Sequence, residues 1–328
     1  MYRNVLIDIT GGCNAKCPLC VTGREDFGKR IHFMPVDQFA RTVDRIIELD
    51  LLDRSHGFIG LHNWGEPILH PDLNGIVAEL NKRTLPIVIS TNGSKKTNFT
   101  VSTAGFSTIT FSVPGWSQES QDRIHGLNFE RVVANIKASI DNIRANGYRG
   151  KFFLAYHIYQ FNGGAELKAA RTWCAQNDLE FHPYYAYIND YKRAKAFLNG
   201  TMADKEKQEI SETIYLDYLE RLLAAQPKNY KCPQWDHHLT LNHKSEVVVC
   251  CGLPYSMQET YVGSIFDLDR DEIIKGKTTS KECDDCISCG NAYWGHHPKM
   301  AVSAMAPRVA ARQFVMAQKH KLKQLLRL

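Results

Sequence analysis

The chain has 328 residues, 44% of them apolar, and a formal net charge of +5. Seven basic and no acidic residues lie between Lys299 and Leu328, so the first 298 residues carry 33 basic and 35 acidic side chains. The positive balance is therefore a property of the C-terminal tail, which argues against a broad nucleic-acid-binding face. The length suits one large α/β domain with an appendage, or two domains. No apolar run is long enough to span a bilayer, and MYRNVLIDIT does not open like a signal peptide. A cytoplasmic location is expected, where ten cysteines point to metal or catalysis more than to disulfides.

In chain order, Asn4–Thr10 is short, apolar and β-branched, and reads as a buried first strand. The run Cys13-Asn14-Ala15-Lys16-Cys17-Pro18-Leu19-Cys20 follows it directly. Three thiolates at this spacing can ligate three corners of a cubane [4Fe–4S] cluster and leave the fourth iron open. Zinc prefers four ligands, often as paired C-x2-C units, and this loop offers three. Pro35–Leu49 has helical apolar spacing with Pro35 suited to its first turn. Phe58–Leu61 reads as the second strand, Asp72–Arg83 as a helix, Pro86–Ser90 as the third strand and Thr108–Val113 as the fourth. The crossover Gly93–Ser107 is too short for an ordinary helix. Asn128–Asn146 is a long helix, Lys151–Ile158 the fifth strand, Glu166–Asn177 a helix and Glu180–Tyr187 the sixth strand. Alternation of this kind implies parallel βαβ units, whose strand-end loops build the site.

A connecting helix is expected over Asp204–Ala225, with a boundary near Leu198–Thr201. Beyond it the composition turns to cysteine, histidine and aromatic residues. Leu239–Leu241 and Glu246–Val249 read as a hairpin. Six cysteines follow position 230: Cys232, Cys250, Cys251, Cys283, Cys286 and Cys289. They suit an iron–sulfur cluster or a four-cysteine zinc site. Cys174 lies in a helical pattern and reads as core. The tail Arg308–Leu328 can be drawn as a basic amphipathic helix, suited to an anionic membrane surface.

The cysteine loop resembles that of the radical S-adenosylmethionine (SAM) superfamily. Trp64-Gly65-Glu66-Pro67 is similar to that family's G-G-E-P motif, with Trp64 in place of the first glycine. Ser90-Thr91-Asn92-Gly93 resembles its T-N-G segment. Ser112 and Arg123 resemble positions that contact the SAM ribose and carboxylate, although the family more often has arginine where His125 stands and aspartate where Pro114 stands. The resemblance implies a partial (β/α)6 TIM-like barrel, a SAM-binding cluster held by Cys13, Cys17 and Cys20, and SAM positioned by Gly65, Glu66, Asn92, Ser112 and Arg123. The later cysteines resemble a SPASM/twitch extension with one auxiliary [4Fe–4S] cluster. Its ligands would be Cys232, Cys250, Cys283 and Cys286, with Cys289 able to replace either of the last two. Cys251 then stays free as a hydrogen-atom donor.

The implied division is 1–200 barrel, 201–298 cysteine-rich extension and 299–328 tail. The implied activity is reductive SAM cleavage followed by hydrogen abstraction, giving oxidation or epimerisation of a carbohydrate-like small molecule, free or lipid-linked, with flavodoxin or ferredoxin as reductant. Two alternatives stand beside it: a ribosomal-peptide maturase, and a non-catalytic iron–sulfur or zinc scaffold.

Overall fold

The computed structural model describes residues 1–24, 31–216, 220, 223–224 and 226–296. The tail expected to form an amphipathic helix lies outside the described residues. Six strands run in chain order: β1 (Asn4–Ile7), β2 (Phe58–Gly60), β3 (Ile87–Thr91), β4 (Phe106–Ser112), β5 (Phe152–Ile158) and β6 (Leu179–Tyr185). They pair as sequential parallel neighbours, each bonded to the next. Their apolar residues are buried because helices cover the sheet. Val36–Glu48, for instance, sinks Phe39, Val43 and Ile46 into the core. This is the partial TIM-like α/β architecture expected.

The β3–β4 crossover carries no helix, in line with its length. It lies instead on the helix Phe129–Ala145. Asn142 Oδ1 there accepts from Phe99 N at 2.7 Å and Ser139 Oγ accepts from Thr97 N at 2.8 Å. These side chains satisfy backbone groups that a crossover helix would have paired itself.

Three strands extend the sheet at its other edge: β7 (His238–Leu241), β8 (Glu246–Val248) and β9 (Tyr261–Ser264). The order is β6-β5-β4-β3-β2-β1-β7-β8-β9. The expected hairpin is β7–β8, and β7 also pairs parallel with β1, Val5 opposite Leu239. The cysteine-rich region is thus hydrogen-bonded to the strand that leads into the first cysteine loop.

The connecting helix differs from expectation. Its first part runs Asp204–Thr213 and breaks at Ile214, whose backbone is extended with φ −122° and ψ 165°; Leu216, Glu220, Leu223 and Ala224 are helical again, and the rest of the expected range lies outside the described residues. Ile214 and Tyr215 are buried, so the chain leaves the helix to sink them into the core. Several elements had no sequence expectation, among them β9 and the helices Gln118–Ile124, Tyr191–Leu198, Arg270–Thr278, Lys281–Ser288 and Asn291–His296.

Candidate active site

The first cysteine loop leaves the end of β1. Cys20 N donates to Cys17 O at 3.2 Å, Gly23 N to Cys20 O at 3.2 Å, and Arg193 Nη1 to Pro18 O at 2.9 Å. A Cβ on Gly23 would lie 2.4 Å from Cys17 N, so the loop closes only over a glycine there. Cys13 Sγ accepts from Ala15 N at 3.4 Å and from Asn92 Nδ2 at 3.7 Å. Burial pushes the Cys13 thiol up to about 12 and raises Cys17 and Cys20 as well, with the thiols opposing one another's ionisation. Such thiols ionise when a cation binds among them.

Beside the loop stands Glu66, 4% exposed. Its carboxylate accepts from Thr91 Oγ1 at 2.6 Å, Asn92 N at 2.7 Å and Ile68 N at 3.1 Å. Burial raises its pKa to about 7, and these donors oppose that shift. Gly65 cannot be another residue, because a Cβ would lie 1.8 Å from Thr10 O. Cys13, Cys17, Cys20, Gly65, Glu66, Asn92 and Ser112 all line one cavity of about 190 Å³ at the strand ends. Three thiols and a carboxylate around one open space fit a cubane cluster with SAM beside it.

Arg123 does not line this cavity. Its guanidinium lies 3.7 Å from the Phe161 ring centroid and 4.0 Å from Glu119. The helix Gln118–Ile124 turns it away, and His125, just past the helix end, lines the cavity in its place. His62, His125 and His157 contribute neutral imidazoles, because burial lowers their pKa values to about 4, 3 and 4. His62 Nδ1 accepts from Ser90 N at 3.2 Å, which leaves the proton on Nε2.

Sequence reading missed Asp8, fully buried just after β1. Its Oδ2 accepts from Trp64 N at 2.8 Å and Tyr255 OH at 3.0 Å, and both oxygens accept from Gly65 N at 3.1 Å. Burial raises its pKa to about 6, opposed by these donors. Asp8 thereby ties the Trp64-Gly65 turn to the C-terminal region. Trp64 adds a second tie, its Nε1 donating to Leu253 O at 3.0 Å.

A second cavity of about 250 Å³ is lined by Cys232, Cys250, Cys251, Cys283 and Cys286. Cys289 is not among its lining residues; it caps the helix Lys281–Ser288, its Sγ 3.6 Å from Cys286 O. Cys250 Sγ accepts from Gly252 N at 3.3 Å and Cys286 Sγ from Asn291 Nδ2 at 3.2 Å. A hydrogen bond from Cys251 lowers the Cys250 thiol, and the same bond, with burial, raises Cys251. Five thiols around one cavity are enough for a cubane held by four of them. Asn63, Trp64, Tyr187 and Asn189 line both cavities. Of the other strand-six residues, Tyr185 is buried in the core and Tyr184 hydroxyl pairs with His157 Nε2.

Residues 7–155 match the sequence profile of the radical SAM superfamily. Residues 7–155 thus read as a radical SAM domain. The cofactors of this superfamily are a [4Fe–4S] cluster and SAM. SuiB of Streptococcus suis bound to S-adenosylmethionine is similar in fold, with a TM-score of 0.53 and 14% identity over 89% of this chain and 72% of that one. Native anSMEcpe with bound AdoMet gives 0.51 and 14% over 95% and 99%. SuiB bound to the precursor peptide SuiA gives 0.55 and 13% over 89% and 70%. A comparison with curated protein sequences found no match. Among the described residues, no helix is long and apolar enough to cross a membrane.

Proposed function

We propose that this radical SAM enzyme removes a hydrogen atom from a C–H bond of a small carbohydrate-like substrate, giving oxidation or epimerisation, with an auxiliary [4Fe–4S] cluster behind the substrate. The observation that carries this reading is the shared wall. Asn63, Trp64, Tyr187 and Asn189 border both cysteine-lined cavities, so a substrate resting on them faces a cluster site on either side.

Cys13, Cys17 and Cys20 would hold the first cluster. When loaded, that cluster supplies the electron that cleaves SAM to the 5′-deoxyadenosyl radical. Glu66 accepts the SAM ammonium in a charge-assisted hydrogen bond, oriented by its three donors. Asn92 braces Cys13 and Ser112 borders the cavity. Cys232, Cys250, Cys283 and Cys286 would hold the auxiliary cluster, with Cys289 outside the ligand set.

Cys251 keeps its hydrogen because it donates to Cys250 and is buried. That is the state a hydrogen-atom donor needs. Giving up the atom leaves a thiyl radical, which one electron and one proton from a flavodoxin- or ferredoxin-type reductant would restore. Apart from Glu66 and the cysteines, the first cavity is lined by uncharged groups, with its three imidazoles neutral. Uncharged donors and acceptors of this kind suit sugar hydroxyls.

A ribosomal peptide is the second reading. It is favoured by the fold likeness to SuiB bound to its precursor peptide. The test uses reduced, iron-loaded protein with SAM. Formation of 5′-deoxyadenosine accelerated by candidate sugars supports the first reading. Acceleration by a synthetic peptide encoded beside the gene supports the second. No 5′-deoxyadenosine at all returns the chain to a non-catalytic scaffold. Given turnover, deuterium from solvent retained at the substrate carbon in wild type, and lost in Cys251→Ala, identifies epimerisation through Cys251.

A further inference from the structure

Lys277 lies in the helix Arg270–Thr278, one turn after the buried Ile273, at a position the helical period gives to the core. It is 1% exposed. Lysine is almost never buried to that degree without a partner. Its Nζ donates to Val249 O at 2.8 Å, on the residue before Cys250. Cys283 Sγ lies 3.8 Å from the Lys277 backbone oxygen. The Tyr2 ring, its centroid 5.5 Å from Nζ, is a further partner, but a carbonyl and a ring are both neutral and do not fully offset the burial of an ammonium. The two backbone contacts set it against Cys250, next in sequence to Val249, and Cys283.

We propose that Lys277 is the buried counter-charge of the auxiliary cluster and raises its reduction potential. The inference rests on the reading that these cysteines bind iron–sulfur. Reduction makes a cluster more negative, and a fixed cation nearby stabilises the reduced state. Net charge and hydrogen bonds to sulfur set such potentials. The donors from Gly252 N to Cys250 and from Asn291 Nδ2 to Cys286 act in the same direction. Lys277 is a positioning residue in the electrostatic sense, since it touches no substrate.

The test is EPR-monitored redox titration of the full iron-loaded chain, in wild type, Lys277→Gln and Lys277→Arg. Gln keeps a donor for Val249 O and removes the charge. The SAM cluster is recognised by its signal change on SAM addition, and serves as an internal control. The expected result is a Gln variant whose second cluster is at least tenfold harder to reduce at fixed poise, a downward shift of about 59 mV for one electron. The SAM cluster stays put and Arg restores the potential. An unchanged potential in a fully loaded Gln variant overturns the proposal. If Gln blocks loading, recovery of iron by Arg supports the charge role and failure of both overturns it. A wild-type chain with only the SAM-responsive cluster overturns the underlying reading as well, which separates the two failures.

Discussion

The two cysteine sites differ in how the chain assembles them. The first takes three thiols from one loop, Cys13 to Cys20, and opens onto Glu66. The second gathers Cys232, Cys250, Cys283 and Cys286 from three separate stretches around one cavity, and buried Lys277 bonds Val249 O next to Cys250. Three ligands leave an iron free for a cosubstrate, whereas four close the cluster and leave it electron transfer. The difference also sets how each site fails. A local loop loses its cluster without disturbing the sheet. The second site hangs on β7, which pairs with β1, and on the ties from Asp8 and Trp64 to Tyr255 and Leu253.

The strongest test of this contrast is the Cys13/Cys17/Cys20→Ala triple variant. SAM cleavage should vanish entirely, and iron should fall from about eight to about four per chain, at four per cubane. A fall from about four to none would mean that the C-terminal thiols hold zinc or no metal. Next in size is Cys232→Ala. It should lose about four irons, retain SAM cleavage in the absence of substrate, and lose substrate turnover. Loss of SAM cleavage in that variant would show that the two sites are not separable.

Glu66→Gln comes third. It should weaken SAM by about ten- to a hundredfold, since a hydrogen bond to a charged group contributes about 1.5–3 kcal/mol. The pH dependence follows from the Glu66 pKa of about 7. Below that value the carboxyl gains a proton that the SAM ammonium must expel. Apparent affinity should therefore drop as pH falls below about 7, approaching about tenfold per unit, and level off above it. Calorimetric titration of SAM across pH 5.5 to 8.5, taken here as roughly the window bracketing that pKa, would show the slope in wild type and its absence in the Gln variant. A slope that persists in Glu66→Gln assigns the titration to another group.

How far the sequence carried this picture follows the same division. The first site was readable because its spacing is local and its other residues fall at strand ends, as Glu66, Asn92 and Ser112 do. Arg123 lies off the cavity because it sits on a short helix whose phase turns it onto Phe161 while His125 faces the cavity. Asp8 left a faint signal, an acid inside the apolar run Val5–Thr10. Lys277 left a comparable one, a cation at a core phase. The pairing of β7 with β1 left none, because register between distant strands depends on packing and not on either segment's own pattern. The helix Lys281–Ser288 was hidden by its composition, since its cysteines and charges give little apolar periodicity. The break at Ile214 was hidden for the opposite reason, as the helical pattern continued past the point where the chain turns inward.

The smallest expected effect concerns the wall between the sites. Trp64 stands where the superfamily more often has glycine, and the residue is 6% exposed. Its backbone N is bound by Asp8 and its indole Nε1 by Leu253 O at 3.0 Å. Trp64→Phe keeps most of the ring and the Asp8 bond but leaves the Leu253 carbonyl unpaired, a cost of about 1–3 kcal/mol. If Trp64 serves mainly to hold the second site, SAM affinity should stay within about threefold of wild type, a change well under 1 kcal/mol. Amide exchange at Gly252 and Leu253 should quicken at the same time. A loss of SAM binding as large as that of Glu66→Gln, with exchange unchanged, would instead place the indole with the first site and move the boundary between the two.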